Sequence, residues 1–236
     1  MRNNKKSSTL GLFEIDSFSA FADYVRNCPE KIKEIVVGAA RWRECEKLLS
    51  RVNLTNLMQK SSSKDYFRAK LFLSFHEESL LNDSELQDSP VILAINNISD
   101  PRNLGAIVRS AAYFGVQYII LPKNRQVLLT QAVVDTAQAG FSCVKCICVT
   151  NLGRTLVGLK KANRWVVGMD MNGQKVTHLP PDLEKIVLVL GSESTGISER
   201  VRQKCDFLLR VGPENPKIES LNVSVAAALG LQVLMS

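Results

Sequence analysis

Three short segments of the chain place polar side chains beside glycines, a combination that suits ligand binding or catalysis. In the first, Asn103 and Arg109 lie just after an apolar run, on a predicted helix. In the second, Glu193 is the only acidic residue of a loop that also holds Gly191 and Gly196. A carboxylate accepts hydrogen bonds, a guanidinium donates them, and glycine lets the backbone approach a ligand closely. These residue types therefore suit recognition of a polar ligand.

The third segment, 219–234, opens with Ser220 and Asn222, and either side chain can cap a helix predicted over 222–234. Small residues along that helix let other backbone pack closely against it. Each segment alone also fits a purely structural interpretation. These interpretations are a capped helix with a surface arginine, an ordinary turn with a solvated glutamate, and a buried capped helix.

Regular alternation of strand and helix patterns from residue 91 onward would position these segments. Strand runs that are apolar at nearly every position are typical of a parallel sheet covered on both faces. Such open α/β sheets bind ligands at the carboxyl ends of their strands. The predicted strands are 91–95, 117–121, 144–149, 165–169, 186–190 and 207–211, and the predicted helices are 104–114, 131–139, 152–162, 199–205 and 222–234.

The chain before residue 88 has the pattern of a smaller α/β unit. Residues 77–89 are acidic and without periodicity, and Pro90 follows them, which is typical of a linker. We therefore divide the chain into a small first domain with its linker, 1–87, and a second domain, 88–236. The predicted helices of the first unit are 18–25 and 41–50, and its predicted strands are 32–37 and 71–75.

Composition and charge narrow the class of protein. The 236 residues are 45% hydrophobic and 22% charged, close to globular averages, which excludes a mainly disordered chain. No apolar run approaches the ~18–20 residues that cross a bilayer, so no membrane association is expected. The net charge of +7 suits a polyanionic partner such as nucleic acid, although solubility alone would also explain it.

Cysteine usage favours a reducing compartment. Cys143, Cys146 and Cys148 cluster in and beside a predicted strand, and no second pair of metal ligands follows. A structural zinc site normally needs four ligands, so no metal is expected. The basic start of the chain is not followed by an apolar stretch of secretory length, which makes the cytoplasm the expected location.

The strand-to-helix turns lack the glycine-rich phosphate loops of common nucleotide-binding folds, but the three segments resemble a known set. In residues, order and context they are similar to the three motifs of the SpoU/TrmH branch of the SPOUT superfamily, whose members are RNA ribose 2′-O-methyltransferases. This resemblance covers about residues 90–236. More loosely, residues 10–75 resemble the small ribosomal-protein-like RNA-binding domain of rRNA-directed members. The matching motif residues are Asn103, Gly105 and Arg109, then Gly191, Glu193 and Gly196, then Ser220, Leu221, Asn222 and Val223.

The resemblance implies an open parallel α/β sheet with a C-terminal trefoil knot, S-adenosyl-L-methionine as the methyl donor, and a homodimer with RNA lying across it. The polar active-site residues that it implies are Asn103, Arg109, Glu193, Ser220 and Asn222. The cofactor contacts that it implies are Met169, Gly191, Val211, Gly212 and Leu221.

The implied reaction is attack of a ribose 2′-hydroxyl on the donor's methyl carbon. Since a guanidinium is normally protonated, Arg109 is expected to orient a phosphate and assist electrostatically, with a general-base role as the alternative. Glu193 and Asn222 are expected to orient Arg109. The extra N-terminal domain favours 23S-type ribosomal RNA as substrate. Transfer RNA and a catalytically silent RNA-binding relative are the alternatives.

Two departures from the family pattern affect the implied cofactor contacts. Residues 210–219 form a proline-rich stretch that is longer than the corresponding family segment. Met169 stands where threonine is common. Both positions lie where the resemblance implies that backbone contacts the methyl donor.

Overall fold

The computed structural model describes residues 10–124, 127–175, 183–212 and 220–235, and within them the chain forms two sheets. The elements of the first sheet and its helices are β1 (Leu10–Ile15), α1 (Phe18–Asn27), β2 (Ile32–Val37), α2 (Trp42–Ser50), β3 (Met58–Lys60) and β4 (Phe67–Ser74). The strand order is β1-β4-β2-β3. β4 runs antiparallel to β1 and β2, and β3 runs parallel to β2.

β4 is the strand that fixes the inner face of this sheet. Phe67, Ala69, Leu71 and Leu73 are buried, while the residues between them point away from the core, as expected for a period of two. The predicted strand 71–75 is only the second half of β4. β1 was not predicted because it is an edge strand with apolar residues on its exposed face as well, so its sequence does not alternate.

The second sheet holds seven parallel strands. In chain order they are β5 (His76–Glu77), β6 (Val91–Ile95), β7 (Tyr118–Pro122), β8 (Lys145–Val149), β9 (Trp165–Lys175), β10 (Ile186–Leu190) and β11 (Phe207–Arg210). Their order in the sheet is β11-β9-β10-β6-β7-β8-β5. The helices are α3 (Ser84–Asp88), α4 (Pro101–Tyr113), α5 (Gln131–Ala137), α6 (Leu152–Lys161), α7 (Glu199–Arg202) and α8 (Val223–Met235).

The predicted α/β class with an open parallel sheet is confirmed. β6 and β10 are buried at every position, because both faces of the sheet are covered. The six predicted strands all have counterparts, although β9 runs on to Lys175 instead of ending at residue 169. The predicted trefoil knot depends on the path of residues 213–219, which lie outside the described residues, so the knot stays a prediction.

The sequence predicted a linker over the acidic stretch 77–89, but the structure shows regular elements there. It begins in β5, which pairs with β8 at the edge of the second sheet, and it continues into α3. The Asp83 side chain caps α3 by accepting a hydrogen bond from the Glu85 N–H at 3.0 Å, and Leu86 is fully buried. Most positions of this short segment are exposed and several are acidic, so its few buried positions form no apolar pattern in the sequence. The domain boundary at residue 87 stays a prediction.

The first sheet packs against the α5 side of the second unit, and the two share one hydrophobic core. The Gln131 side chain accepts a hydrogen bond from the Glu14 N–H at 3.1 Å and donates one to the Glu14 carbonyl at 2.6 Å. Lys31 Nζ donates to the Phe141 carbonyl at 2.8 Å. The N-terminal sheet is therefore held firmly beside the second sheet.

The cysteines are free thiols, as the sequence predicted. Cys146 and Cys148 are buried in β8, and Cys143 is exposed just before it. Across the four described ranges, no group of three or more His, Cys, Asp or Glu side chains is arranged to hold a metal ion. No helix within those ranges has the length and apolar character that crossing a membrane requires.

Candidate functional site

The three polar segments meet at the carboxyl edge of the second sheet. β6 and β10 are neighbours, so the loops that follow them lie side by side. The Asn96 N–H donates to the Leu190 carbonyl at 2.8 Å, and the Asn96 side chain accepts from the Ser198 N–H at 2.8 Å. These bonds fix the loop after β6 against the loop after β10.

The loop after β10 is a tight turn that requires glycine at two positions. Ser192 and Gly196 exchange backbone hydrogen bonds of 3.0 and 2.9 Å. Gly196 has φ +63°, a conformation that glycine adopts at little cost. A Cβ on Gly191 would lie 2.1 Å from the carbonyl carbon of Gly196, so the two glycines let the turn fold back on itself. The turn directs Glu193 toward the N-termini of α4 and α8.

Glu193 is the centre of a hydrogen-bonded cluster that joins all three segments. Its Oε1 accepts from Asn103 Nδ2 at 2.8 Å and from Asn222 Nδ2 at 2.5 Å. Asn222 Nδ2 also donates to Asn103 Oδ1 at 3.1 Å. A charged acceptor strengthens such bonds. The cluster therefore ties two helix starts to one loop.

Each asparagine is held in position by the start of its own helix. α4 begins as predicted, with Pro101 at its first position and the Asp100 side chain accepting from the Arg102 N–H at 2.8 Å. Asn103 is buried in the first turn. Asn222 Oδ1 accepts from the Ser224 N–H at 2.9 Å and so caps α8, which leaves the Asn222 amide N–H groups to face Glu193.

A cavity of about 350 Å³ lies beside this cluster, between the second half of β9 and the loops that follow β10 and β11. Of the residues predicted for the site, Ser220 and Glu193 line it, together with the predicted cofactor contacts Met169, Gly191, Val211 and Leu221. Gly212 follows Val211 at φ +96° but does not line the cavity. The proline-rich stretch within 210–219 lies largely outside the described residues.

Arg109 is the predicted polar site residue that one chain does not bring to the Asn103–Glu193–Asn222 cluster or to Ser220 in the cavity wall. It lies on the exposed stripe of α4 that also holds Arg102 and Tyr113, about 120° from Asn103 around the helix axis at 3.6 residues per turn. It lines neither of the two cavities at this edge of the sheet. The expectation that Glu193 and Asn222 orient Arg109 is therefore wrong within one chain, where their partner is Asn103.

An ion pair in the wall of the cavity was missed by the sequence analysis. Asp170 Oδ2 lies 3.1 Å from Arg202 Nη1, and the Asp170 side chain is only 10% exposed. Both residues line the cavity. Asp170 directly follows the predicted strand 165–169, a position that signals a site in such folds. Arg202 lies on α7, and only the tertiary structure brings it to Asp170.

A second, smaller cavity of about 100 Å³ adjoins the first. The loop after β6 forms one side of it, through Asn97, Ser99 and Asp100. Glu193 lines both cavities and so forms a wall between them. Most of the small cavity's lining is polar, whereas the larger cavity includes the apolar side chains of Leu190, Ile197 and Leu209.

Comparison with known proteins gives one family. Residues 90–232 match the model of the SpoU rRNA Methylase family. An uncharacterized tRNA/rRNA methyltransferase of Mycolicibacterium gilvum is 40% identical over 157 residues, 66% of this chain and 50% of the relative, so this chain spans half of that protein's length. The 23S rRNA (guanosine-2′-O-)-methyltransferase RlmB of Coxiella burnetii is 35% identical over 185 residues, 78% of this chain and 74% of the relative.

Solved structures support the same fold. The SpoU methyltransferase AviRb from Streptomyces viridochromogenes superimposes with a TM-score of 0.75 at 16% identity, covering 95% of this chain and 89% of that one. The same protein in complex with the cofactor AdoMet gives a TM-score of 0.72 at 17% identity, with the same coverage. Both likenesses extend over the N-terminal sheet as well as the second sheet.

Proposed function

The chain belongs to the SpoU rRNA methylase family, and on this premise we propose that it is an RNA ribose 2′-O-methyltransferase that uses S-adenosylmethionine. The observation that carries the proposal is the Asn103–Glu193–Asn222 cluster beside a cavity of about 350 Å³. This cluster joins one residue from each of the three motif segments.

The residues of the larger cavity suit S-adenosylmethionine. Its volume falls within the ~300–1,000 Å³ of small-molecule pockets. Apolar side chains such as Leu190 and Leu209 suit an adenine ring, while the carboxylates of Asp170 and Glu193 suit the positive charge of a sulfonium or an ammonium group. We propose that Met169, Gly191, Val211 and Leu221 hold the cofactor, chiefly through backbone.

The chain's own contribution to the reaction is orientation. When bound, S-adenosylmethionine supplies a methyl group already activated by its sulfonium charge. The ribose 2′-hydroxyl would have to be held in line with that methyl group, and such alignment of reacting groups can provide much of the acceleration. Asn103, Asn222 and Glu193 form a fixed polar surface against which the ribose is positioned, with Ser220 beside it.

We propose a homodimer that supplies the missing arginine. Exposed apolar side chains run along α8 at Val225 and Leu229, 47% and 41% exposed, and α8 packs against α4. Arg109 lies on the exposed stripe of α4, beside Tyr113 on the same stripe. If this surface pairs with a second copy, each Arg109 faces the other chain, where it can bind an RNA phosphate.

We propose that the N-terminal sheet binds RNA through two adjoining loops. The loop after β2 and the loop before β4 are joined by a hydrogen bond from the Ala40 N–H to the Lys64 carbonyl at 3.1 Å. Four exposed cations lie in these loops or at the ends of α2 and β3 that adjoin them, and their positive charge suits a phosphate backbone. These are Arg41, Arg43, Lys60 and Lys64.

Ribosomal RNA of the 23S type is the proposed substrate, with transfer RNA as the alternative. The relationship to an rRNA (guanosine-2′-O-)-methyltransferase, which covers 78% of this chain, favours ribosomal RNA. So does the presence of the N-terminal sheet. We also propose the cytoplasm as the protein's location, because its cysteines are free thiols, which a reducing compartment keeps reduced.

Methyl transfer from labelled S-adenosylmethionine to purified rRNA and tRNA, followed by mapping of ribose methylation, tests the function. We expect one methylated ribose in 23S-type RNA. Arg109→Ala should abolish transfer and leave cofactor affinity within about twofold of wild type. Methylation of tRNA alone would favour the alternative substrate. RNA binding without any transfer would identify a silent relative.

A further inference from the structure

The register of the N-terminal sheet places both of its basic loops at one edge. Val37, the last residue of β2, is paired with Phe67, the first residue of β4. Ile15, the last residue of β1, is paired with Ala69, two residues further along β4. The loop after β2 and the loop before β4, where the proposed RNA-binding cations lie, therefore leave the sheet at the edge where β1 ends.

Contacts with the second unit orient this edge. Beside it, Gln131 at the start of α5 exchanges hydrogen bonds of 3.1 and 2.6 Å with the backbone of Glu14. At the opposite edge, Lys31 just before β2 donates at 2.8 Å to the carbonyl of Phe141, which precedes β8. Because α5 follows β7, it begins near the carboxyl edge of the second sheet, whereas the start of β8 marks the amino edge. The basic loops consequently lie on the side of the molecule where the three polar segments meet.

The loop after β7 lies between the polar segments and the N-terminal sheet. The Lys123 N–H donates to the Val149 carbonyl at 2.9 Å, and the Val127 N–H donates to the Ile98 carbonyl at 3.0 Å. Ile98 belongs to the loop after β6, which forms one side of the smaller cavity. At its far end, the loop after β7 leads into α5, whose first residue binds β1. Hydrogen bonds thus connect the site to the N-terminal sheet through this loop.

Two exposed cations at this carboxyl edge are not neutralised by the protein. Lys123 directly follows β7, and Arg154 lies in the first turn of α6, which follows the neighbouring strand β8. Across the described ranges, neither side chain forms an ion pair. At the amino edge of the same sheet, by contrast, Lys145, Lys160 and Lys185 are each paired with a carboxylate. The unpaired charges suit phosphate groups of a ligand.

We infer that the carboxyl ends of β7 and β8 form a phosphate-binding track for RNA, with Lys123 and Arg154 as its contacts. The inference rests on the proposed function, since it takes RNA as the substrate, and it extends RNA binding from the basic loops to the site. Contacts to phosphates position a nucleic acid without reading its sequence. The track therefore holds the RNA in register between the N-terminal sheet and the methylated nucleotide.

Binding of labelled 23S-type rRNA over a range of salt concentrations tests the track. Lys123→Ala and Arg154→Ala should each weaken binding about three- to tenfold, the usual effect of one lost hydrogen bond. Each should also lower the slope of log affinity against log salt by about one, as expected for one lost phosphate contact. Lys123→Arg keeps the charge and should bind RNA as the wild type does. Cofactor affinity, measured by calorimetry, should be unchanged in all three variants.

Lys161→Ala is the matched control. Lys161 is exposed in the last turn of α6, about two turns after Arg154 and on the same side of the helix, but at the amino edge of the sheet. Its substitution removes the same charge and should leave the affinity for RNA and the salt slope unchanged.

Three outcomes would overturn the inference. They are an unchanged salt slope in either alanine variant of the track, an equal fall in Lys161→Ala, which would show only an effect of net charge, or weakened binding in Lys123→Arg. Failure of the proposed function would look different. The wild-type protein would then transfer no methyl group to RNA, while its salt slope could still be compared with those of the variants.

Discussion

Asn222 has two separable tasks in the structure. Its Oδ1 caps α8 through the Ser224 N–H at 2.9 Å, and its Nδ2 binds Glu193 at 2.5 Å. Serine at this position can cap the helix but cannot donate the amide hydrogen bond. The two tasks can therefore be tested with two substitutions.

Asn222→Ala should lower the free energy of unfolding by about 1 kcal/mol, because the cap is lost, and should lower Tm by about 2–4 °C. Asn222→Ser should leave Tm near wild type. Both variants should lose methyl transfer by at least about tenfold, because Glu193 loses a hydrogen-bond donor. Scanning calorimetry and an initial-rate assay measure the two effects. Full activity in Asn222→Ser would mean that the contact to Glu193 is dispensable.

Asp170 is predicted to favour a positively charged ligand in the larger cavity. Asp170→Asn removes a negative charge and leaves the Arg202 guanidinium, 3.1 Å away, without its counterion. The affinity for S-adenosylmethionine should therefore fall about tenfold, equal to about 1.4 kcal/mol. Asp88→Asn is the matched control, since Asp88 pairs with Lys185 in an exposed ion pair outside the cavity. Equal affinities for Asp170→Asn and the control would contradict the prediction.

At the scale of elements, the packing of α4 on α5 depends on one glycine. A Cβ on Gly105 would lie 2.6 Å from the Val133 carbonyl oxygen and 2.6 Å from Thr136 Cβ. Backbone atoms cannot give way as a flexible side chain does, so the close approach of the two helices requires glycine. Since Asn103 lies one half-turn earlier on α4, this contact also positions the cluster.

Gly105→Ala should destabilise the protein by about 1–3 kcal/mol, the usual cost of overpacking. Gly158→Ala is the control in α6, where no atom lies within 4 Å of the added Cβ. That substitution should stabilise the protein by about 0.5–1 kcal/mol, because alanine loses less backbone entropy in a helix. Denaturant unfolding of both variants measures the difference. Equal stability would mean that α4 can move away from α5.

At the scale of the whole molecule, the exposed side of α8 is the surface on which the proposed dimer depends. Leu229→Asp should convert a dimer of two 26.2 kDa chains into a folded monomer. Its Tm should be that of a single chain, without the contribution of the dimer interface. Methyl transfer should be lost as well, because in the proposed dimer Arg109 acts at the site of the second copy. Val157→Asp, at a 37% exposed position on α6, should leave the mass unchanged. Light scattering gives the mass, and a dimeric Leu229→Asp variant would contradict the interface.

The thiols report on the integrity of the whole fold. Burial raises the pKa of Cys28, Cys45 and Cys205 to about 11, and raises those of Cys146 and Cys148 as well. A raised pKa leaves less reactive thiolate at pH 8. A colorimetric thiol reagent should therefore react rapidly with Cys143 alone in the native protein and with all six thiols in denaturant. Cys143→Ser should remove the fast reaction, and a remaining fast thiol would show local opening.

Local patterns were sufficient for the elements that carry the site. Apolar runs predicted the strands of the second sheet, because strands buried on both faces carry no polar positions. Asp100 and Pro101 predicted the start of α4, and Asn222 was one of two predicted caps for α8. The stretch 77–89 was misread because its buried positions are too few to set a period.

The sequence by itself therefore determined the class of fold, the residues of the three segments and the family to which they point, since these depend on local composition and spacing. Only the tertiary structure decided which of those residues touch. Strand order puts β6 beside β10, so Glu193 meets Asn103 across 90 positions of sequence, and the turn of α4 directs Arg109 away from both. Asp170 in β9 and Arg202 in α7 likewise pair only because the fold brings their two elements together. Contacts between distant residues depend on how elements pack, and no local period encodes that arrangement.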